Sequence, residues 1–153
     1  VKFIIIAVLV VISAFAIDLI YIHSLPDVVV AIGKPVRQDD FLYTVTRVIT
    51  HHVNDNFAYV VTIKVNNQAR IVDYHWRDEI AYVTDASGRQ YRAAPASSGG
   101  QDEPAIPAGR SASYTLTFVL PASARTPMLR YSNGILMGDV FDGAAYRRAA
   151  IPL

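Results

Sequence analysis

The chain has no cysteine among its 153 residues. That removes disulfides, thiol nucleophiles, thiolate zinc sites and lipid attachment through an N-terminal cysteine. It does not fix the compartment, because many domains of this size fold outside the cytoplasm without disulfides. Charge is sparse: 18% of residues are Asp, Glu, Lys or Arg, and 14 basic against 13 acidic side chains nearly cancel. Neither sign clusters, so the basic stripe that nucleic-acid binding requires is missing and no nucleic-acid partner is expected. Also missing are internal repeats and any amphipathic helical period in the body of the chain. The sequence frames of common catalytic machinery are absent too: there is no H-E-x-x-H, no G-x-S-x-G, no phosphate-binding glycine loop and no D-x-D-x-D-G calcium loop.

What is present begins with an apolar run. The 20 residues from Phe3 to Ile22 carry one charge, Asp18, near their far end. That length crosses a hydrocarbon core of about 30 Å as a helix. The apolar membrane-facing positions are Phe3, Ile4, Ile5, Ile6, Val8, Leu9, Val10, Val11, Ile12, Phe15, Ile17, Leu19 and Ile20. Lys2 precedes the run, so the positive-inside rule predicts a cytoplasmic N-terminus and an extracytoplasmic body. A cleaved secretory signal is the rival reading, because Ala14-Phe15-Ala16 fits the small-x-small cleavage pattern. The continuation of the apolar run past Ala16 favours an uncleaved anchor over residues 1–25. A buried helix of a soluble fold is the third reading; the run has no polar face to support it. Pro26 ends the helix, and the domain of residues 27–153 follows almost without a linker.

Within that domain the stretch Phe57 to Asn67 sets the pattern. Phe57, Tyr59, Val61, Ile63 and Val65 recur every second residue, while the intervening positions drift from Ala58 and Val60 to Thr62, Lys64 and Asn66. A period of two puts one face in a core and leaves the other progressively wet. Ala112, Tyr114, Leu116, Phe118 and Leu120 repeat the alternation and supply its mate. Further strands are predicted at 28–32, 41–52, 80–84, 89–92 and 128–131, with turns at Gly33-Lys34-Pro35, Asn54-Asp55-Asn56 and Asp85-Ala86-Ser87-Gly88. About seven short strands without intervening helices predict an all-β sandwich of two antiparallel sheets, with a small closed barrel as the alternative.

A series of landmarks resembles a family of bacterial extracytoplasmic domains of unknown function with a telokin-like, immunoglobulin-related sandwich. They are Ile32-Gly33-Lys34-Pro35-Val36 leading into Asp40 to Val45, Tyr59 to Asn67, Val83 to Tyr91, Ile106-Pro107-Ala108-Gly109, and Thr115 to Pro121. The resemblance covers residues 30–121. It implies the fold class, an antiparallel immunoglobulin-like (telokin-like) sandwich, and an extracytoplasmic address. It supplies no catalytic residues. Members are often lipid-anchored through a cysteine, which this chain replaces with its apolar run; the stretch after Pro121 extends beyond the family pattern.

Candidate chemistry is thin. His51 and His52 are adjacent, so on a strand they point to opposite faces and cannot readily share a metal ion. Asp39, Asp40, Asp55, Asp102 and Glu103 could supply oxygen ligands for calcium, yet Asp40 and Asp55 read better as turn residues. Ser87-Gly88 and Ser132-Asn133-Gly134 lack a nucleophile's context. No catalytic centre, metal or cofactor is expected. Two patches suit protein contact: Tyr74, His75, Trp76 and Arg77, with residue types enriched at binding hot spots, and the tail residues Tyr146, Arg147 and Arg148. A core tryptophan and a frayed terminus are the plainer readings of the two. The Gly-, Pro- and Ser-rich segment 93–107 is a surface loop that could bind a ligand or merely link. The expectation is a non-enzymatic accessory or scaffolding subunit of a membrane complex, respiratory or photosynthetic for example. Its partners would be membrane-embedded subunits, with the lipid bilayer reached through the N-terminal helix. The alternative is a ligand-binding or envelope-sensing module.

Overall fold

The computed structural model describes residues 26–95, 105–132 and 148–153, preceded by Val10, Ser13, Ala14, Ala16 and Ile17, which are helical and exposed. The other residues of the expected 1–25 anchor lie outside the described residues. No helix among those described is long and apolar enough to cross a membrane.

Two sheets pack face to face. One is four-stranded, ordered β2 (Pro35–Gln38), β3 (Phe41–Val53), β4 (Asn56–Asn67) and β7 (Ser111–Pro121). The other is five-stranded, ordered β1 (Val28–Val29), β9 (Ala149–Pro152), β8 (Met128–Tyr131), β5 (Ala81–Thr84) and β6 (Gln90–Arg92). The two stretches with the strongest alternation, β4 and β7, are direct antiparallel neighbours from Asn56↔Pro121 to Asn66↔Ser111. Their inward residues Val61, Ile63, Val65, Tyr114, Leu116, Phe118 and Leu120 are all buried. They meet Ala81, Val83, Leu129 and Ile151 from the opposite sheet in one continuous core. Such sheet-on-sheet packing, with alternate residues turned inward, is the ordinary solution for two half-apolar sheets.

The β3–β4 hairpin closes through Asn54, whose backbone is left-handed (φ 51°), a conformation that asparagine tolerates. Within β3 the register slips between Val45 and Arg47. Thr46 is therefore an extra residue that changes the phase of the alternation. Tyr43 and Val45 face inward before it; Val48, opposite Val61, does so after it.

Two strands go beyond the expected set. β2 begins at Pro35, on the edge of its sheet, where a missing N–H disrupts no ladder. β9 is the tail itself, seated between β1 and β8 with Ile151 fully buried. Its pairing with β1 is parallel, Val28↔Ala149 and Val29↔Ala150, while its pairing with β8 is antiparallel. The larger sheet is therefore mixed, and two strands after Pro121, β8 and β9, belong to the sandwich.

Removing the buried Ile151 side chain leaves a cavity between the sheets, and large-to-small changes at such sites cost about 2–5 kcal/mol. Ile151→Ala is expected to lower the unfolding free energy by that amount in urea titration; a change within about 0.5 kcal/mol, the usual surface value, would show the tail to be peripheral.

Candidate functional site

The sandwich has two distinct ends. At the end where β3 starts and β4 finishes, the chain leaves one sheet after Asn67 and reaches the other at Ala81, so the 68–80 connection closes that end. Asn67 fixes its path. The side chain is fully buried; its Nδ2 donates to Val72 O (2.7 Å) and Ile106 O (2.9 Å), and its Oδ1 accepts from Ala69 N (3.0 Å). A buried amide with these partners specifies one loop conformation, since any other would leave polar groups unpaired.

Beneath the connection lies a cluster of rings. Tyr43 stacks on Tyr131 (centroids 4.9 Å apart) and meets Tyr74 edge-on (6.2 Å), and its hydroxyl donates to Tyr74 Oη at 2.9 Å. Trp76 lies almost parallel to Tyr114, 4.6 Å away, and its Nε1 donates to Asp78 Oδ1 at 2.8 Å. Tyr74 forms an isolated bridge with Ile106, so the patch and the end of the 93–107 loop do meet. They meet in the interior, however. Tyr74 is buried and Trp76 is half-buried against the core, while His75 and Arg77 are the exposed members of the patch.

Burial withdraws water from these phenols and favours their neutral form. It pushes Tyr43 up to about 12, with the Tyr74 hydrogen bond acting in the opposite sense. Tyr74 and Tyr131 are raised further, again chiefly by burial, with neighbouring tyrosines adding to it. The Tyr131 hydroxyl is buried without a hydrogen-bond partner.

A second polar feature lies on the outer face of the five-stranded sheet. Asp27 precedes β1; its Oδ2 forms an ion pair with Arg130 Nη1, and its Oδ1 lies 3.3 Å from Arg148 Nε. The latter contact is a charge contact without hydrogen-bond geometry, which leaves Oδ1 shielded and without a donor. Arg130 Nε also donates to Thr84 Oγ1 at 2.8 Å. These residues line an open cleft of about 570 Å³ together with Tyr82, Asp85, Gln90, Thr126 and Met128. Asp85 accepts from Ser87 Oγ (2.6 Å) and Tyr91 Oη (2.8 Å), and those hydrogen bonds, Ser87 first, hold its carboxyl down at about 2. Thr126, on the rim, has φ 50°, a left-handed backbone that costs a β-branched residue strain.

The protein is similar in shape to three solved β-sandwich proteins. A secreted protein of Mycobacterium tuberculosis, MPT63, matches with TM-score 0.56 and 14% identity, over 85% of this chain and 100% of its own. The yjhA protein of Bacillus subtilis matches with TM-score 0.54 and 13% identity, over 80% and 98%. An uncharacterized β-sandwich protein of Clostridium difficile matches with TM-score 0.54 and 8% identity, over 84% and 95%. This likeness shows the fold alone. No family model matches the chain, and neither does any curated protein sequence.

Of the other sequence candidates, His52 packs edge-on against Phe57 (5.1 Å), while His51 lies opposite Ala58. No group of three or more His, Asp or Glu able to hold a metal occurs among the described residues. Arg148 is the first described residue of the tail and pairs with Asp27; Tyr146 and Arg147 lie outside the described residues, as do Asp102 and Glu103. Sequence reasoning missed Asp27 and Arg130, which are 103 residues apart. No local signal marks the pair: Arg130 alternates with the buried Leu129 and Tyr131 as an ordinary outward residue of β8, and its partner is distant in sequence.

Two measurements probe this geometry. A tyrosine whose pKa is raised on folding loses stability as pH climbs, because the unfolded chain releases the proton first, near pH 10. The tyrosine contribution to stability should hold constant below about pH 10 and fall between there and about 12. Of the nine tyrosines, Tyr43, Tyr74 and Tyr131 should ionise, by absorbance at 295 nm, only as the sandwich opens; full ionisation with the fold intact would contradict the buried cluster. Asp27→Ala removes the counter-charge of a partly exposed pair and is expected to cost about 1–2 kcal/mol. Amide exchange at Val28 and Val30 should accelerate in that variant, with β4 amides unchanged relative to global stability.

Proposed function

We propose that this protein is a membrane-anchored, extracytoplasmic β-sandwich of the immunoglobulin-like, telokin-like kind that works without catalysis, as an accessory or scaffolding subunit of a larger membrane complex. The apolar run through residues 3–22 is its single-pass anchor, with the N-terminus in the cytoplasm of a bacterial cell and the sandwich on the outer side of the inner membrane. The secreted Mycobacterium protein among its structural neighbours supports an extracytoplasmic address.

One observation carries the reading. Asp27, about five residues beyond the apolar run, is already part of the sandwich: it is paired with Arg130 and Arg148, Val28 N donates to Arg148 O (2.8 Å), and Val30 N donates to Ala150 O (3.0 Å). A domain tied this directly to its anchor is confined beside the bilayer, which raises its effective concentration toward membrane-embedded partners. The exposed His75 and Arg77 lie on the connection that closes the end where the chain enters. The cleft lined by Asp27, Arg130 and Arg148 favours a second reading, a ligand-binding or envelope-sensing module taking a small polar molecule there.

The test is purification in mild detergent through an affinity tag joined by a flexible linker after Leu153, followed by native electrophoresis and mass spectrometry. Stoichiometric co-migration with membrane proteins is the expected outcome. A lone monomer across several detergents would exclude the subunit reading and direct attention to ligand screening at the cleft.

A further inference from the structure

The connection that closes one end of the sandwich presents an apolar pair to solvent. Ile71 is 90% exposed and Val72 55%, and Arg70 beside them is exposed as well. Scattered exposed apolar side chains are normal, but this pair sits on a built support. The fully buried Asn67 amide holds the Val72 carbonyl and the Ala69 N–H, and Gln68 N donates to Asp40 O at 2.8 Å. The loop is pinned from beneath on both sides of Ile71, so the pair cannot fold back to cover itself without releasing buried hydrogen bonds.

The topology places this tip at the end where the chain enters the sandwich. Tyr43, opposite Val65 near the end of β4, stacks on Tyr131, the last residue of β8. β9 runs antiparallel to β8 with Ala150 opposite Arg130, and β1 runs parallel to β9 with Val28 beside Ala149. The start of β1, the end of β8 and the end of β4 therefore share one end, while Val53, at the β3–β4 hairpin, lies at the other. The exposed apolar pair and the start of β1, into which the 20-residue apolar run leads in sequence, consequently share one end.

We propose that the Arg70–Val72 tip is a second membrane contact. Ile71 and Val72 enter the interfacial region of the bilayer in which the N-terminal segment is anchored, and Arg70 reaches the lipid phosphates. This rests on the anchored reading above. Two apolar side chains at one end of a domain sink only about 5–10 Å, to the headgroup–acyl boundary. Arginine suits the flank because its stem lies along apolar surface while its guanidinium stays wet. The occupant is lipid rather than protein because the chain leading into this end is itself an apolar stretch of bilayer length. With a tether at Asp27 and a contact at Ile71, the sandwich is held in one orientation rather than swinging about a single attachment.

The absence of cysteine makes an engineered one unique. Val10→Cys, Ile71→Cys and Val53→Cys would each be labelled with an environment-sensitive fluorophore in the whole chain, then reconstituted into protein-free zwitterionic vesicles carrying shallow or deep nitroxide lipids. The expected result is blue-shifted emission at position 71 quenched best by the shallow nitroxide, strong quenching at position 10 by the deep one, and aqueous emission at position 53. Aqueous emission at position 71 with position 10 buried would overturn the second contact and leave the anchor standing. Aqueous emission at both would overturn the anchored reading and the contact together. A shift at position 71 seen in native membranes but lost in protein-free vesicles would replace lipid with a membrane protein as the occupant.

Discussion

The stacking of Tyr43 on Tyr131 joins the two sheets at the end that the 68–80 connection closes. One ring comes from β3 and the other from β8, and their 4.9 Å separation fixes how closely the sheets approach there. Tyr74 completes the arrangement by accepting a hydrogen bond from the Tyr43 hydroxyl and pairing its own backbone with Ile106. Trp76, four residues before Ile80, can then lie flat on Tyr114. The 68–80 connection is consequently part of the packed structure, and its exposed residues are exposed because their neighbours are anchored.

Much of the sandwich was legible because alternation is a local signal. β4 and β7 read correctly from apolar residues at every second position, and even the drift along the outer face of β4 is present, from the buried Ala58 to the exposed Lys64. β2 and β9 were not legible. Pro35 reads as a strand end, and Ala-Ala-Ile-Pro has neither the length nor the alternation to announce a strand; both are strands because neighbours distant in sequence accept them. The Thr46 bulge is equally invisible, since one extra residue in a β-branched run leaves no compositional mark.

The candidate sites divide in the same way. The Tyr74–Arg77 patch was visible from its residue types, but residue type does not reveal orientation, and the structure separates it into a buried tyrosine, a half-buried tryptophan and an exposed pair. The Asp27–Arg130–Arg148 cluster depends on β1 meeting β9, a parallel pairing that no local pattern encodes. Chains 8–14% identical to this one share its shape.

The parallel pairing of β1 with β9 also has a mechanical side. A pull on the segment entering at Asp27 runs along the axis of β1. The Val28–Arg148 and Val30–Ala150 hydrogen bonds then share the load and must slide together, whereas a pull across the strands would open them one after another. The ion pairs at Asp27 stand at the point where that load first arrives. The junction is thus a shear joint, which resists a pull along β1 better than one across it.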